Sequence, residues 1–280
     1  MLAAPIRAAV AKHGAAGEIE WLAENYAFDI AFAGDGGLAL ADARAVAEGA
    51  VADINVVKQA CRRKKLLIAD MDSTIISCEC LDELADMAGL KPKIAAITER
   101  AMRGEIQFEP ALRERVGLLK GLELDALERT WRERVRLNPG AKTLLATMKN
   151  GGAKALLVSG GFTYFTSRVA AEAGFDEDQA NILLDDGSVL TGEVAEPILG
   201  REAKLEALEN AVSRFGLSQD DALAVGDGAN DLAMIGRAGL GVAYHAKPIV
   251  AAAAGAAIQH GDLTALLYLQ GYRKSEFVIA

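Results

Sequence analysis

Two carboxylates at the end of an apolar run, Leu66-Leu67-Ile68-Ala69-Asp70-Met71-Asp72-Ser73-Thr74, are the residues of this chain most suggestive of chemistry. The run reads as a strand, and an i, i+2 spacing in a strand sends both side chains to one side. Two aspartates leaving a buried strand together repel each other, so a metal ion, a shared proton or both must stabilise them. One carboxylate as nucleophile and the other as proton carrier, with a divalent cation between them, is the equipment for phosphoryl transfer through an aspartyl-phosphate. A strand running out into a solvated Asp-rich turn would use the same residues. The companions further along decide between the two.

Positioning such a pair requires a sheet, and from residue 66 onward the pattern alternates apolar strands with amphipathic helices. Strands are expected at Leu66–Asp70, Ala155–Ser159, Ala222–Gly226 and Gly239–Val242, with a shorter one near Ala256–Ile258. Helices are expected at Tyr164–Ala173, Glu202–Phe215, Asp231–Arg237 and Leu263–Leu269. Continuous apolar strands separated by helices predict a Rossmann-like α/β fold, a parallel sheet with helices on both faces. Sites in such folds lie beyond the carboxyl ends of the strands. Three strand ends carry polar clusters there: Asp70 and Asp72, Ser159-Gly160-Gly161, and Gly226-Asp227-Gly228.

Between about residues 77 and 139 the alternation stops, and helices are expected at Cys80–Ala88, Lys91–Met102, Glu109–Leu118 and Leu124–Val135. A helical insertion directly after the first strand of the sheet would sit over its carboxyl end, as a cap. Asp185-Asp186-Gly187-Ser188 predicts a hairpin on the sheet's edge. Residues 1–62 read as a small α+β domain, with a strand at Ala27–Phe32, a helix at about Leu40–Val51 and a short strand at Ile54–Val57. The basic run Arg62-Arg63-Lys64-Lys65 reads as a solvated boundary before the main domain, residues 66–280.

A formal net charge of −9 argues against broad nucleic-acid or anionic-membrane binding, which needs a Lys/Arg footprint. The three cysteines, Cys61, Cys78 and Cys80, read as structural thiols and fit a reducing cytoplasm. His13, His245 and His260 are scattered and form no zinc pattern. The N-terminus has no basic region leading into a sustained apolar core, so no signal peptide is read, and no run is long enough to span a bilayer.

Asp70-Met71-Asp72-Ser73-Thr74, Ser159-Gly160-Gly161, the isolated Lys204 and Gly226-Asp227-Gly228-Ala229-Asn230-Asp231 resemble, in that order, the four motifs of the haloacid dehalogenase-like phosphatases. Within that superfamily the pattern, over residues 66 to about 270, is similar to the phosphoserine phosphatases. The resemblance implies Mg²⁺-dependent hydrolysis of O-phosphoserine, the last step of serine biosynthesis. A relative acting on another small phosphomonoester, such as phosphothreonine or phosphohomoserine, is the alternative.

The resemblance also implies roles. Asp70 would be the nucleophile and Asp72 the general acid and base, with Ser159 and the Gly160 N–H, at the start of a helix, holding phosphate oxygens. Lys204 would neutralise charge on Asp70 and the phosphoryl group. Asp70, the backbone carbonyl of Asp72 and Asp227 would ligate Mg²⁺, with Asn230 completing the site and Asp231 acting through water or by orienting Lys204. In the cap, Glu79 and Arg115 would take the substrate's ammonium and carboxylate, and Met102 and Phe108 would line the pocket. Asp231 as a helix cap, and Glu79 and Arg115 as solvated helix residues, are the plainer readings of the same positions. Many relatives carry a full amino-acid-binding regulatory or dimerisation domain at the N-terminus. Residues 1–62 leave room only for a shortened β-α-β version, which argues against allosteric regulation by serine; a homodimer is a separate expectation.

Overall fold

In the computed structural model, which describes residues 2–102 and 105–279, the sheet forms where the apolar runs lie. The N-terminal layer is α1 (Ala3–Val10), β1 (Gly14–Ala23), β2 (Ala27–Gly34) and α2 (Gly36–Val46). Next come β3 (Leu66–Ala69), α3 (Cys80–Met87), α4 (Lys91–Met102), α5 (Phe108–Gly117), α6 (Asp125–Arg134) and α7 (Ala141–Asn150). They lead to β4 (Lys154–Phe162), α8 (Thr163–Ala173), β5 (Glu177–Asn181), β6 (Leu183–Asp185), β7 (Leu190–Val194) and α9 (Arg201–Arg214). The chain ends with β8 (Ala222–Gly226), α10 (Leu232–Arg237), β9 (Leu240–Tyr244), α11 (Pro248–Ala253), β10 (Ala256–Ile258) and α12 (Ala265–Leu269).

Six strands form one sheet in the order β10-β9-β8-β3-β4-β5, and every pairing is parallel. The α/β class and parallel sheet expected from the pattern are what the chain adopts. β3 lies at the centre, between β4 and β8, and its four residues are wholly buried. Burial on both faces is what a continuous apolar run in a parallel sheet produces. One core side, with Leu67, Leu144 and Leu157, lies against α7, and the other packs Leu66, Ile68 and Leu156 on α9 residues Leu208 and Ala211. Because β3 is central, its carboxyl end opens between the ends of β4 and β8. Asp70, Ser159 and Asp227 therefore converge.

Several expectations need correction. The N-terminal layer runs α-β-β-α, not β-α-β. β1 and β2 form an antiparallel hairpin, and residues 54–57 are not a strand. That segment instead docks on the sheet's edge through side chains. The Asn55 amide exchanges two hydrogen bonds of 2.9 Å with the backbone of Ala257 in β10. The Asp53 carboxylate accepts from the N–H groups of Gln259, His260 and Gly261.

The basic run is a solvated boundary only in part: Arg63 and Lys65 are exposed, but Arg62 and Lys64 are tied to the rest of the chain. Arg62 grips Asp29 with two bonds of 2.6 and 2.9 Å and donates to the Leu269 carbonyl. Lys64 is buried and its Nζ donates to the Asp220 carbonyl. These bonds latch the N-terminal layer to the core. The hairpin at Asp185–Ser188 forms, but as a separate two-stranded sheet. It pairs with the loop between α5 and α6, through Gly121 N–H to Leu190 O at 2.8 Å, Leu190 N–H to Leu122 O at 2.8 Å and Leu124 N–H to Ser188 O at 3.1 Å.

Candidate active site

The strand β3 hands over to a tight kinked turn, Met71–Ile75, in which Ser73 takes a positive φ of 55°. Such a backbone is uncommon for a residue with a Cβ and marks stored strain. Asn138, just after the helical insertion, donates to the carbonyls of Thr74 at 2.8 Å and Ile76 at 3.1 Å. Both passages of chain between sheet and insertion are thereby tied together.

At the floor of the site Lys204, from the first turn of α9, lies with its Nζ 2.6 Å from Asp70 Oδ1 and 2.6 Å from Asp231 Oδ1. All three are buried. Burial alone would push the Lys204 pKa down, but the attraction of Asp70 and Asp231 outweighs it and raises the pKa, so the ammonium stays charged. Burial, then the charge of Asp231, pushes the Asp70 carboxyl well above the usual range, and Lys204 opposes both.

Carboxylate oxygens of Asp70, Asp227 and Asp231 lie within 4.8 Å of one another, a group that could hold a metal ion. Asp227 titrates at about 6, raised by burial and then by Asp231 and Glu79. The buried Thr74 hydroxyl stands 3.5 Å from Asp227 Oδ1. Three close carboxylates against one ammonium leave negative charge uncompensated, and the donors are all oxygen. That combination suits a hard divalent cation. The glycines flanking Asp227 make room for the cluster: a Cβ at Gly226 would lie 2.3 Å from Asp231 Oδ2, and one at Gly228 would lie 2.2 Å from Asn230 Oδ1.

Asp72 faces away from that cluster. Its Oδ1 accepts the Cys80 N–H at 2.9 Å, at the first residue of α3, and its Oδ2 is 3.4 Å from Ser159 Oγ. Burial, then the charge of Glu79, raises its pKa to about 7. Ser159 Oγ in turn accepts the Gly161 N–H at 2.9 Å. Gly160 is not at the helix start that the sequence predicts. It lies within β4, and α8 begins only at Thr163.

Above this floor, Glu79 is exposed and accepts the Ser73 hydroxyl at 2.6 Å. Arg115 is half-buried in α5, donates from Nε to Ala111 O at 3.2 Å, and feels the charges of Asp82 and Glu79. Burial lowers its pKa from the usual arginine value. The ring of Phe108 lies over two glycines, 3.4 Å from the place a Cβ would take on Gly160 and 3.6 Å from that on Gly200. Asn230 is exposed at the rim, and the side chain of Met102 lies outside the described residues.

Two residues that the sequence reading passed over help to build the site. Asn138 is one, through its bonds to Thr74 and Ile76. Asn181, at the end of β5, is buried and its amide joins Gly160 to Leu199. β5 reads Glu-Asp-Gln-Ala-Asn, with neither an apolar run nor alternation to announce a strand. Nothing local marked Asn181.

A sheet of this order, with an aspartate pair at its central strand and a buried lysine beside it, defines a class of hydrolase, and comparison with known proteins agrees. The chain belongs to the haloacid dehalogenase-like hydrolase family, whose model matches residues 67–236. It is 49% identical over 210 residues to a Polaromonas phosphoserine phosphatase, covering 73% of this chain and 89% of that one. A solved structure of a phospho-aspartyl intermediate analogue of phosphoserine phosphatase matches with a TM-score of 0.68 and 39% identity, over 74% of this chain and 98% of that one. A substrate-bound phosphoserine phosphatase complex matches with a TM-score of 0.68 and 38% identity, over 73% and 97%. The resemblance read from the four motifs is borne out.

Proposed function

We propose that this chain hydrolyses O-phosphoserine to serine and inorganic phosphate by way of an aspartyl-phosphate on Asp70. The observation that carries the reading is the buried Lys204 ammonium at 2.6 Å from Asp70. It favours the ionised nucleophile in a desolvated floor and supplies positive charge where a phosphoryl group would arrive. Asp70 attacks phosphorus in line with the leaving serine oxygen. Asp72, titrating at about 7, protonates that oxygen and then takes a proton from the water that cleaves the aspartyl-phosphate. Ser159 and the Gly160 N–H hold phosphoryl oxygens, and Asn230 closes the rim. Asp231 holds Lys204 in place.

Mg²⁺ is the metal we assign to the acidic group, held by Asp70, Asp227 and the Asp72 carbonyl. Bound there, it would draw charge from the phosphoryl oxygens. Glu79 and Arg115 take the ammonium and carboxylate of the substrate, one acidic and one basic anchor for an amino acid. The names of the relatives support phosphoserine as that amino acid.

Trapping tests the covalent step. A beryllium fluoride complex should bind the full-length enzyme as a phosphoryl mimic only with Mg²⁺ present, and should not bind Asp70→Asn. Equal binding by the Asp70→Asn protein would remove Asp70 from the nucleophile's role.

A further inference from the structure

Asn181 is buried, with 2% of its surface exposed, and three of its amide's bonding positions are used. Its Nδ2 donates to the Gly160 carbonyl at 2.9 Å and to the Leu199 carbonyl at 3.2 Å, while its Oδ1 accepts the Leu199 N–H at 2.8 Å. One side chain thus joins two backbones that no sheet pairing links. One belongs to the Ser159-Gly160-Gly161 strand end. The other is the segment 199–200 that leads into α9 and Lys204.

The glycines on the two joined backbones, Gly160 and Gly200, are the pair beneath the Phe108 ring of the helical insertion. A seat for that ring exists only while both glycines keep their relative place. The amide of Asn181 fixes that place with directional bonds in a buried setting, where leaving a carbonyl unpaired is costly.

We infer that Asn181 is a positioning residue for the phosphate grip. It sets the Gly160 backbone, whose N–H is assigned to the phosphoryl group, against the segment that starts the Lys204 helix, and makes the two-glycine surface on which Phe108 closes the site. This rests on the function proposed above. Asn181 itself touches neither the acidic cluster nor Asp72. Its loss therefore loosens the hold on phosphate and leaves the proton transfer to the leaving group unaltered.

The test compares the unmodified enzyme with Asn181→Ala and with the isosteric Asn181→Asp, which keeps the acceptor for Leu199 N–H but loses both donors. Inorganic phosphate with Mg²⁺ is titrated calorimetrically, and kcat and KM are measured on phosphoserine and on an aryl phosphate. Both variants should bind phosphate on the order of tenfold more weakly and lose kcat/KM to the same degree on both substrates. Combined with Phe108→Ala, the loss in Asn181→Ala should be less than additive, because the two act through one surface.

Unchanged phosphate affinity in either folded variant would overturn the inference, even with a lowered melting temperature. So would a loss confined to phosphoserine, which would place Asn181 in the acid step or in amino-acid recognition. The phosphate titration needs no turnover, so inactivity of the unmodified enzyme on phosphoserine would count against the proposed function alone.

Discussion

The floor and the wall of this site are built on opposite terms. On the floor, Asp70, Lys204 and Asp231 are buried and already paired at 2.6 Å. On the wall, Glu79 is exposed, Arg115 is half-buried, and Phe108 keeps 37% of its surface in solvent. Glu79 spends one oxygen on the Ser73 hydroxyl, and among the described residues Arg115 Nε reaches only a carbonyl of its own helix. Charges that do chemistry must be fixed and desolvated before substrate arrives, since reorganising them during reaction adds to the barrier. Charges that recognise substrate can wait in water, because the substrate is their partner. The contrast predicts that floor substitutions act on turnover and on stability, and wall substitutions act on selection.

The largest effect should separate those two consequences on the floor itself. Asp70→Asn removes the proposed nucleophile but leaves Lys204 paired to Asp231, so turnover should fall by about 10⁶-fold, the scale of losing a nucleophile, while the fold persists. Lys204→Ala strands two buried carboxylates and should cost about 3–5 kcal/mol of stability besides activity. Urea unfolding of the two proteins checks this. Equal destabilisation would break the contrast.

Next in size is Asp72→Asn, which joins floor to wall through its bond from Cys80. A serine alkoxide leaves poorly without a proton, whereas an aryl oxide needs less help. Single-turnover phosphoryl transfer should fall about 10²–10⁴-fold with phosphoserine and much less with an aryl phosphate. Equal losses would remove the general-acid role.

On the wall, Arg115→Ala should raise KM for phosphoserine and hardly alter hydrolysis of a phosphate lacking a carboxylate. One charge-assisted pair is worth about 1.5–3 kcal/mol, or on the order of 10- to 150-fold in kcat/KM. A similar loss on both substrates would assign Arg115 to the phosphate instead.

The smallest effect crosses from wall to floor. Burial and then Glu79 hold Asp72 near 7, so kcat/KM, which reports the free enzyme, should fall as pH rises through about 7 and the acid ionises. Glu79→Gln takes away a negative charge, makes ionisation of Asp72 easier, and should move that falling limb to lower pH. A limb that stayed in place would uncouple the two regions.

Much of the floor was legible in the sequence because its parts sit at the ends of apolar strands. Asp70 and Asp227 follow β3 and β8, Ser159 lies toward the end of β4, and a parallel sheet brings such ends together. Lys204 carried no local mark, and only its order among the other motifs pointed to it. What was not legible was held by side chains reaching across sequence. Asn138 and Asn181 act on backbones 62 to 64 and 18 to 21 residues away. The edge strand β5 is too polar for periodicity to find. Arg62 and Lys64 looked like a solvated run because their partners, Asp29, the Leu269 carbonyl and the Asp220 carbonyl, become neighbours only after folding. The hairpin's turn was readable from Asp186-Gly187, yet its partner was the loop between α5 and α6 rather than the main sheet.

The central claim is that a paired floor breaks phosphate esters while an open wall chooses the amino acid. Phosphate release from O-phosphoserine, phosphoethanolamine, which lacks the carboxylate, and 3-(phosphonooxy)propionate, which lacks the ammonium, tests it directly when each is run with and without Mg²⁺. The account predicts activity only with the metal, and a kcat/KM on phosphoserine on the order of 10- to 150-fold above each truncated substrate. Equal kcat/KM on all three would contradict it and leave a general small-molecule phosphatase.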